Sequence, residues 1–110
     1  MSLSPTESDR NNHARRRLPN RRPAETLAIE RDNLHLCMTT GHFPDGTIGE
    51  VFLTASPLNS LLDALVSDAA ICISIALQFG APLDTIRHAL RRDSRGEVAS
   101  LIGAALDKIS

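Results

Sequence analysis

The sequence predicts an α+β domain in which a three-stranded antiparallel meander is covered by one long central helix and two shorter C-terminal helices. Three observations carry this prediction. Period-two alternation recurs three times before residue 56, one continuous amphipathic stretch follows over residues 57–79, and two shorter helical patterns close the chain. Because the strands precede all the helices, the helices should lie together on one face of the sheet.

The chain divides into three predicted parts. Residues 1–14 are polar, and we expect them to form a disordered tail. Residues 15–23 form a basic arm that two prolines bias towards extended structure. Residues 24–110 form a single folded domain, and from residue 23 onward 6 basic residues face 11 acidic ones, so an acidic body carries a basic arm.

Three short segments carry the strand signal. Residues 26–30 and 34–40 alternate around a tight turn at residues 31–33, with Leu36 and Met38 on one face of the second strand. Pro, Asp and Gly in residues 44–46 are typical of a second turn. A third strand follows over residues 47–55, and its apolar face carries Val51 and Leu53.

The stretch over residues 57–79 predicts the core helix. A helical wheel places one broad apolar arc towards the sheet, so Leu65 and Ile73 should both be buried. Asp68 borders this arc and should find a basic partner, either in the arm or in the next helix, where Arg87 is a candidate. The length also suits a membrane span, but two aspartates in the stretch argue against insertion, so we interpret it as the core of a soluble protein.

Two shorter helices are predicted after the break at Gly80 and Pro82. The first should run over residues 83–92, with Asp84 in its first turn and basic residues in its last turn. The second should run over residues 98–109, where apolar residues recur on a single stripe.

Cysteine and histidine do not form a ligand pattern. Cys37 and Cys72 lie in a predicted strand and a predicted helix, so we expect small buried side chains rather than a disulfide or a metal site. His35, His42 and His88 lack the paired spacing of a zinc site. We therefore predict no metal ligands and no catalytic residues.

The arm is the strongest candidate for a binding site. Guanidinium groups grip phosphates through paired hydrogen bonds, so the arm could hold a nucleotide, a nucleic acid or an acidic protein. The alternative is a solubilising segment whose last arginines pair with Glu25, Glu30 or Asp32. The candidate anion-binding residues are Arg15, Arg16, Arg17, Arg21 and Arg22.

Four segments together resemble a known family. They are RRRLPNRRPAETLAIE, GHFPDGTIGEVFLTA, SDAAICISIALQFGAPLDTIRHAL and GAALDKI, and they span residues 15–109. The order is similar to the TSCPD domain, which occurs at the carboxyl end of adenosylcobalamin-dependent ribonucleotide reductases and as short free-standing proteins. The tetrapeptide that names the family is absent here.

The resemblance implies a free-standing accessory or regulatory domain linked to reduction of ribonucleotides to deoxyribonucleotides. Such a domain would act by binding, with a reductase large subunit as partner, and the adenosylcobalamin would belong to that reductase. The alternative is a small binding protein whose basic arm attaches non-specifically to nucleic acid or another polyanion. Without a signal peptide at residues 1–10, we expect a cytoplasmic protein.

Overall fold

The computed structural model describes residues 15–109, so the predicted disordered tail lies outside the described residues. The prediction of an α+β domain, with a three-stranded antiparallel meander, one long helix and two shorter C-terminal helices, is confirmed. The strands are hydrogen-bonded in the order β1-β2-β3. The elements are β1 (Ala24–Arg31), β2 (Leu34–His42), β3 (Ile48–Ala55), α1 (Leu61–Gln78), α2 (Leu83–Ala89) and α3 (Leu101–Lys108).

The turns set the register of the meander. Asp32 and Asn33 both have positive φ, at 53° and 64°, as the two-residue turn of a tight hairpin requires. The pairing of β1 with β2 then places Ile29 opposite Leu36 and joins the core-facing residues of the two strands. Between Gly41 and His42 the pairing of β2 with β3 shifts, which marks a bulge beside the second turn.

One face of the sheet forms the core. Its central residues, Met38, Val51 and Leu53, are almost completely buried. Helix α1 packs over β3, while α3 packs beside β1 and inserts Ala105 and Leu106, both without solvent exposure. The two short helices are shorter than predicted, because α2 ends at Ala89 and α3 begins only at Leu101.

The orientation of α1 differs from the prediction. The residues that α1 buries are Val66, Ala70, Ile73, Leu77 and Gln78. On a wheel of 100° per residue, the buried face is rotated by roughly 80° from the predicted apolar arc. Ile73 is buried as predicted, but Leu65 is 58% exposed, so the prediction that Leu65 belongs to the core is wrong.

The polar stripe of α1 explains the rotation. β3 is an edge strand, and its free backbone groups are bound by polar side chains of the helix. Asp63 accepts a hydrogen bond from the Ala55 amide at 2.9 Å, and Ser67 donates to the Leu53 carbonyl at 3.0 Å. Ser74 Oγ lies 2.8 Å from the Val51 amide nitrogen and 3.0 Å from the Val51 carbonyl oxygen.

This arrangement protects the sheet edge from pairing with another strand. The prediction of a basic partner for Asp68 is wrong, because Asp68 is exposed and, within residues 15–109, forms no ion pair with Arg87 or with the arm. Arg87 instead bonds Asp84 at 3.1 Å and Asp107 at 3.4 Å. Among residues 15–109, α1 is the one helix long and apolar enough to cross a membrane by length and composition, and it packs on the sheet as predicted.

Candidate functional site

The basic arm is docked across the end of the sheet. Its strongest anchor is Arg22, whose guanidinium binds both carboxylate oxygens of Glu50: Nε binds Oε2, and Nη2 lies 3.1 Å from Oε1. Glu50 is only 7% exposed although it is charged. The Glu50 carboxylate raises the pKa of Arg22 through this hydrogen bond. The two charges therefore compensate each other, as a buried ion pair must.

A glycine on the neighbouring strand makes room for this ion pair. Gly41 pairs with Glu50 across the β2–β3 ladder. A Cβ atom on Gly41 would come within 2.0 Å of the Glu50 carboxylate oxygen and 2.6 Å of Glu50 Cγ. Any larger residue would push the Glu50 side chain off the sheet surface, so Gly41 allows Glu50 to meet the arm.

Arg16 forms a second anchor by stacking. Its guanidinium carbon lies 3.8 Å from the centre of the Phe43 ring, and its Nη2 lies 3.0 Å from Asp45 Oδ2. Phe43 is buried, and its ring packs against Gly49, where a Cβ atom would come within 2.5 Å of the ring. Gly49, Phe43 and Arg16 thus form a stack that Asp45 holds by charge.

The third anchor joins the arm to the end of α1. The Arg16 amide donates to the Gln78 backbone carbonyl at 2.6 Å, and Arg15 Nε donates to the Gln78 side-chain oxygen at 3.1 Å. The same side chain donates from Nε2 to the Gly49 carbonyl at 3.1 Å. Gln78 therefore connects the arm, the helix and the sheet through one buried amide.

The remaining two arginines point into solvent. Arg17 and Arg21 are exposed, and within residues 15–109 no hydrogen bond or ion pair involves their side chains. Arg15, Arg16 and Arg22 instead hold the arm in place. The arm does not pair with the predicted partners Glu25, Glu30 and Asp32. It pairs instead with Asp45 in the second turn and with Glu50 after that turn.

A cleft of about 750 Å³ opens beside the Arg16 anchor. Its walls come from the second turn, from the end of α1 and from the segment that leads into α2. Apolar side chains dominate this lining, with Phe43, Ile48, Leu77 and Leu83 among them, and Arg16 is the charged residue at its rim. The cleft therefore offers an apolar surface next to a cation.

The carboxylate at this site stays ionised. Hydrogen bonds from the Thr47 hydroxyl and amide, followed by the contact with Arg16, lower the pKa of Asp45 to about 2. Asp63 at the other end of β3 behaves similarly, because backbone amides of Ala55 and Asn59 lower its pKa. Asp45 thus stays available as the ionic partner of Arg16 at any pH near neutrality.

The two cysteines are on the surface, so the prediction that they are buried is wrong. Cys37 lies on the face of the sheet opposite the core, while Cys72 lies on the outer side of α1. His35 contacts Glu30 at 3.1 Å, and His42 contacts Thr40 and the Gly46 carbonyl. In the part of the chain that the structure describes, no three potential metal ligands come together.

Sequence reasoning singled out the arm but missed its docking site. The sequence predicts the residues that contact the arm only as members of a turn and a strand. A signal was present, because two glycines flank the second turn and an acid follows the second glycine, in GHFPDGTIGE. Their function depends on contacts across the sheet that the linear order does not reveal.

Comparison with known proteins gives this geometry a context. The chain is 38% identical over 71 residues to a vitamin B12-dependent ribonucleotide reductase of Streptantibioticus cattleyicolor, a match that covers 64% of this chain and 12% of that protein. The homologues of this chain are vitamin B12-dependent ribonucleotide reductases. The same enzyme of Agrobacterium fabrum is 37% identical over 70 residues, covering 64% of this chain and 6% of the enzyme.

A third relative, the vitamin B12-dependent ribonucleotide reductase of Rhodopirellula baltica, is 35% identical over 74 residues, covering 66% of this chain and 7% of the enzyme. The chain thus spans only about a tenth or less of the length of the curated relatives it matches. No protein-family model matches the chain. No solved structure matches it either. The homology therefore supports a domain related to a segment of vitamin B12-dependent ribonucleotide reductases.

Proposed function

We propose that this chain is a TSCPD-type accessory domain that acts by binding a vitamin B12-dependent ribonucleotide reductase. The observation that carries the proposal is the match of about 70 residues, at 35–38% identity, to a segment of such reductases. The four sequence segments that resemble the TSCPD domain support it. A domain homologous to one segment of a large enzyme can replace or regulate that segment in trans.

The cysteine inventory supports binding rather than catalysis. Radical reduction of a ribonucleotide needs a cysteine that forms a thiyl radical and a further redox-active pair at the substrate. The chain has two cysteines, Cys37 and Cys72, and they lie on different elements, one on the sheet and one on α1. The proposal therefore assigns the chemistry to the reductase and assigns no catalytic residue to this chain.

One feature of the described residues supports placing adenosylcobalamin on the reductase. The cleft beside Arg16 is lined by neither histidine nor cysteine that could coordinate cobalt. Its cationic residue, Arg16, is already paired with Asp45. The proposal accordingly places the cofactor on the reductase and this chain in the cytoplasm.

Binding to two forms of the reductase tests the proposed function directly. One sample contains an intact vitamin B12-dependent reductase from the same source, and the other contains the same enzyme without its homologous segment of about 70 residues. We expect calorimetry to show that the chain binds the shortened enzyme more tightly, because the docking position is then vacant. Equal or absent binding to both enzymes would contradict the proposal.

A second candidate function rests on the two free arginines. Arg17 and Arg21 belong to the arm that three other arginines fix to the domain, and both are exposed. Their two guanidinium groups could therefore bind a nucleotide or another polyanion. The test is anisotropy of a labelled single-stranded oligonucleotide with the Arg17→Gln/Arg21→Gln variant. Loss of binding supports this role, and unchanged binding contradicts it. The control is Arg91→Gln/Arg95→Gln, which removes two exposed arginines elsewhere.

A further inference from the structure

The outer side of α1 carries a continuous exposed stripe opposite the sheet. We call it the outer stripe, and its members are Leu61, Leu65, Asp68, Cys72, Ile75 and Phe79. All six are exposed, with 78% exposure at Leu61 and 47% at Phe79. No described element covers this stripe, although four of its members are large apolar residues.

The spacing of the outer stripe fits a second helix. Successive members are separated by 4, 3, 4, 3 and 4 residues, which is the alternation of a heptad repeat. Such a seam lies along one side of a helix and receives the side chains of a partner helix between its own.

The exposed apolar area exceeds that of a typical monomer patch and approaches the area of a stable dimer interface. Leu58, Ile71 and Phe52 are each more than half exposed. Ile71 and Phe52 line one cleft together with Ile75, and Leu58 lies just before the start of α1. With about 180–200 Å² for a fully exposed Leu, Ile or Phe, the stripe and these three residues expose roughly 750 Å² of apolar residues. A typical monomer shows a largest patch of about 300–600 Å², while a stable interface takes about 800 Å² from each partner.

The outer stripe is complementary to itself in one orientation. When two α1 helices run antiparallel about a two-fold axis near residue 70, Leu61 faces Phe79 of the other copy. Leu65 then faces Ile75, and Asp68 faces Cys72. The two residues of each facing pair, or layer, are of different type. The two Asp68 carboxylates therefore lie in separate layers. A parallel pair would instead put the Asp68 carboxylates directly opposite each other, which is unfavourable.

We propose that the outer stripe binds a second copy of this chain, with the two α1 helices packed antiparallel in an isologous dimer. The interface lies on the side of α1 away from the sheet, whereas the docked arm is held at the end of α1 by Gln78. The dimer is a separate proposal from the reductase association, and the variants below test it by itself.

Mass measurement over a concentration series tests the dimer. Sedimentation equilibrium of the full chain should give twice the 11.9 kDa chain mass at high concentration and approach the chain mass on dilution. Leu65→Gln should raise the dimer dissociation constant roughly tenfold or more, since each dimer loses two central apolar contacts. The matched control is Leu34→Gln, which changes a 39% exposed leucine at the start of β2 and should leave the constant unchanged.

Asp68→Leu provides a change of opposite sign. A charged residue in the seam between two helices destabilises the dimer. Replacement of Asp68 by leucine should therefore lower the dissociation constant of the dimer about tenfold. Because this variant is expected to associate more tightly, its outcome cannot be confused with misfolding. A weaker or unchanged dimer would contradict the proposed seam.

Cross-linking tests the orientation. In a chain that carries Cys37→Ser and Cys72→Ser, we would prepare Leu65→Cys and Ile75→Cys separately and oxidise each alone and as a mixture. The antiparallel dimer predicts a disulfide only in the mixture, because residues 65 and 75 then share a layer. Homodimeric disulfides in the separate samples would indicate a parallel pair and overturn the proposal.

Two further outcomes would also overturn it. One is a chain that stays monomeric at millimolar concentration while Leu65→Gln abolishes reductase binding, which would make the outer stripe the reductase site. The other is a monomer that sediments with phospholipid vesicles through the same stripe. Either result would leave the fold unchanged and replace the occupant. Failure of reductase binding alone, with an intact dimer, would affect only the proposed function.

Discussion

Truncation of two apolar residues on α1 should have very different effects on stability. Ile73 is 8% exposed and belongs to the core cluster, whereas Leu65 is 58% exposed. Ile73→Ala removes three carbon groups worth about 0.8 kcal/mol each and leaves a cavity, so we expect a loss of about 2.5–4 kcal/mol. At Leu65 the same truncation loses less than half of the corresponding transfer free energy, because the side chain is already mostly exposed. We therefore expect a loss of stability of about 0.5–1 kcal/mol.

The difference is measurable because a domain of this size is marginally stable. The 95 described residues suggest a free energy of unfolding of roughly 5–14 kcal/mol. Ile73→Ala should therefore lower the thermal midpoint by about 10–25 °C, while Leu65→Ala should shift it by only a few degrees. Urea denaturation of both variants, at a protein concentration below dimer formation, gives the free energies directly.

Protein concentration separates the two roles. At high concentration Leu65→Ala should become more destabilising, because it also weakens the dimer, whereas the cost of Ile73→Ala should stay the same. Equal losses for the two variants at low concentration would refute the orientation of α1 described above. Such a result would restore the predicted wheel, in which both residues face the sheet.

Three further predictions follow from the site and the surface. Gly49→Ala should displace Phe43 and speed tryptic cleavage in the arm severalfold, as read from time courses by mass spectrometry, while circular dichroism stays unchanged. Cys37 and Cys72 should both react promptly with a thiol reagent in the native state, and Cys72 alone should become protected as concentration rises. The lowered pKa of Asp45, about 2, means that its contribution to stability is full above the unfolded value near pH 4 and is lost as pH falls towards 2. Asp45→Asn should therefore flatten the acid-denaturation curve in that window, and an unchanged curve would contradict this assignment.

The strands were predictable because their signals are local. Alternation places Met38 and Leu53 on one face, and the turn residues fix where each strand ends. The meander and the order of helices followed from these patterns. Both the sheet topology and the long helix therefore depend on information contained within short windows of sequence.

The face of α1 was not predictable, because its polar residues bind backbone atoms. The free edge of β3 presents amides and carbonyls that satisfy Asp63, Ser67 and Ser74, and backbone groups have no sequence signature. A hydrophobic wheel assigns such residues to solvent and turns the helix the wrong way. The same error moved Cys72 into the predicted core.

The arm was recognised by composition, but its docking was not. Arg22 and Glu50 lie 28 residues apart in sequence, and Arg15 and Gln78 lie 63 apart. Contacts of this range depend on the folded sheet bringing the second turn next to the end of α1. Composition alone could not distinguish the anchoring arginines from Arg17 and Arg21, whose anion-binding role stays a prediction.

Salt dependence of reductase association is the most direct test of the central claim. The chain, and a variant in which Arg17 and Arg21 are changed to Gln, would be titrated by calorimetry into the reductase that lacks its homologous segment, between low and moderate salt. Our account predicts that both proteins bind and that affinity largely persists at moderate salt, because burial of apolar surface is not screened. If neither protein binds this reductase at any salt, or if all binding disappears with the two arginines, the accessory function is contradicted.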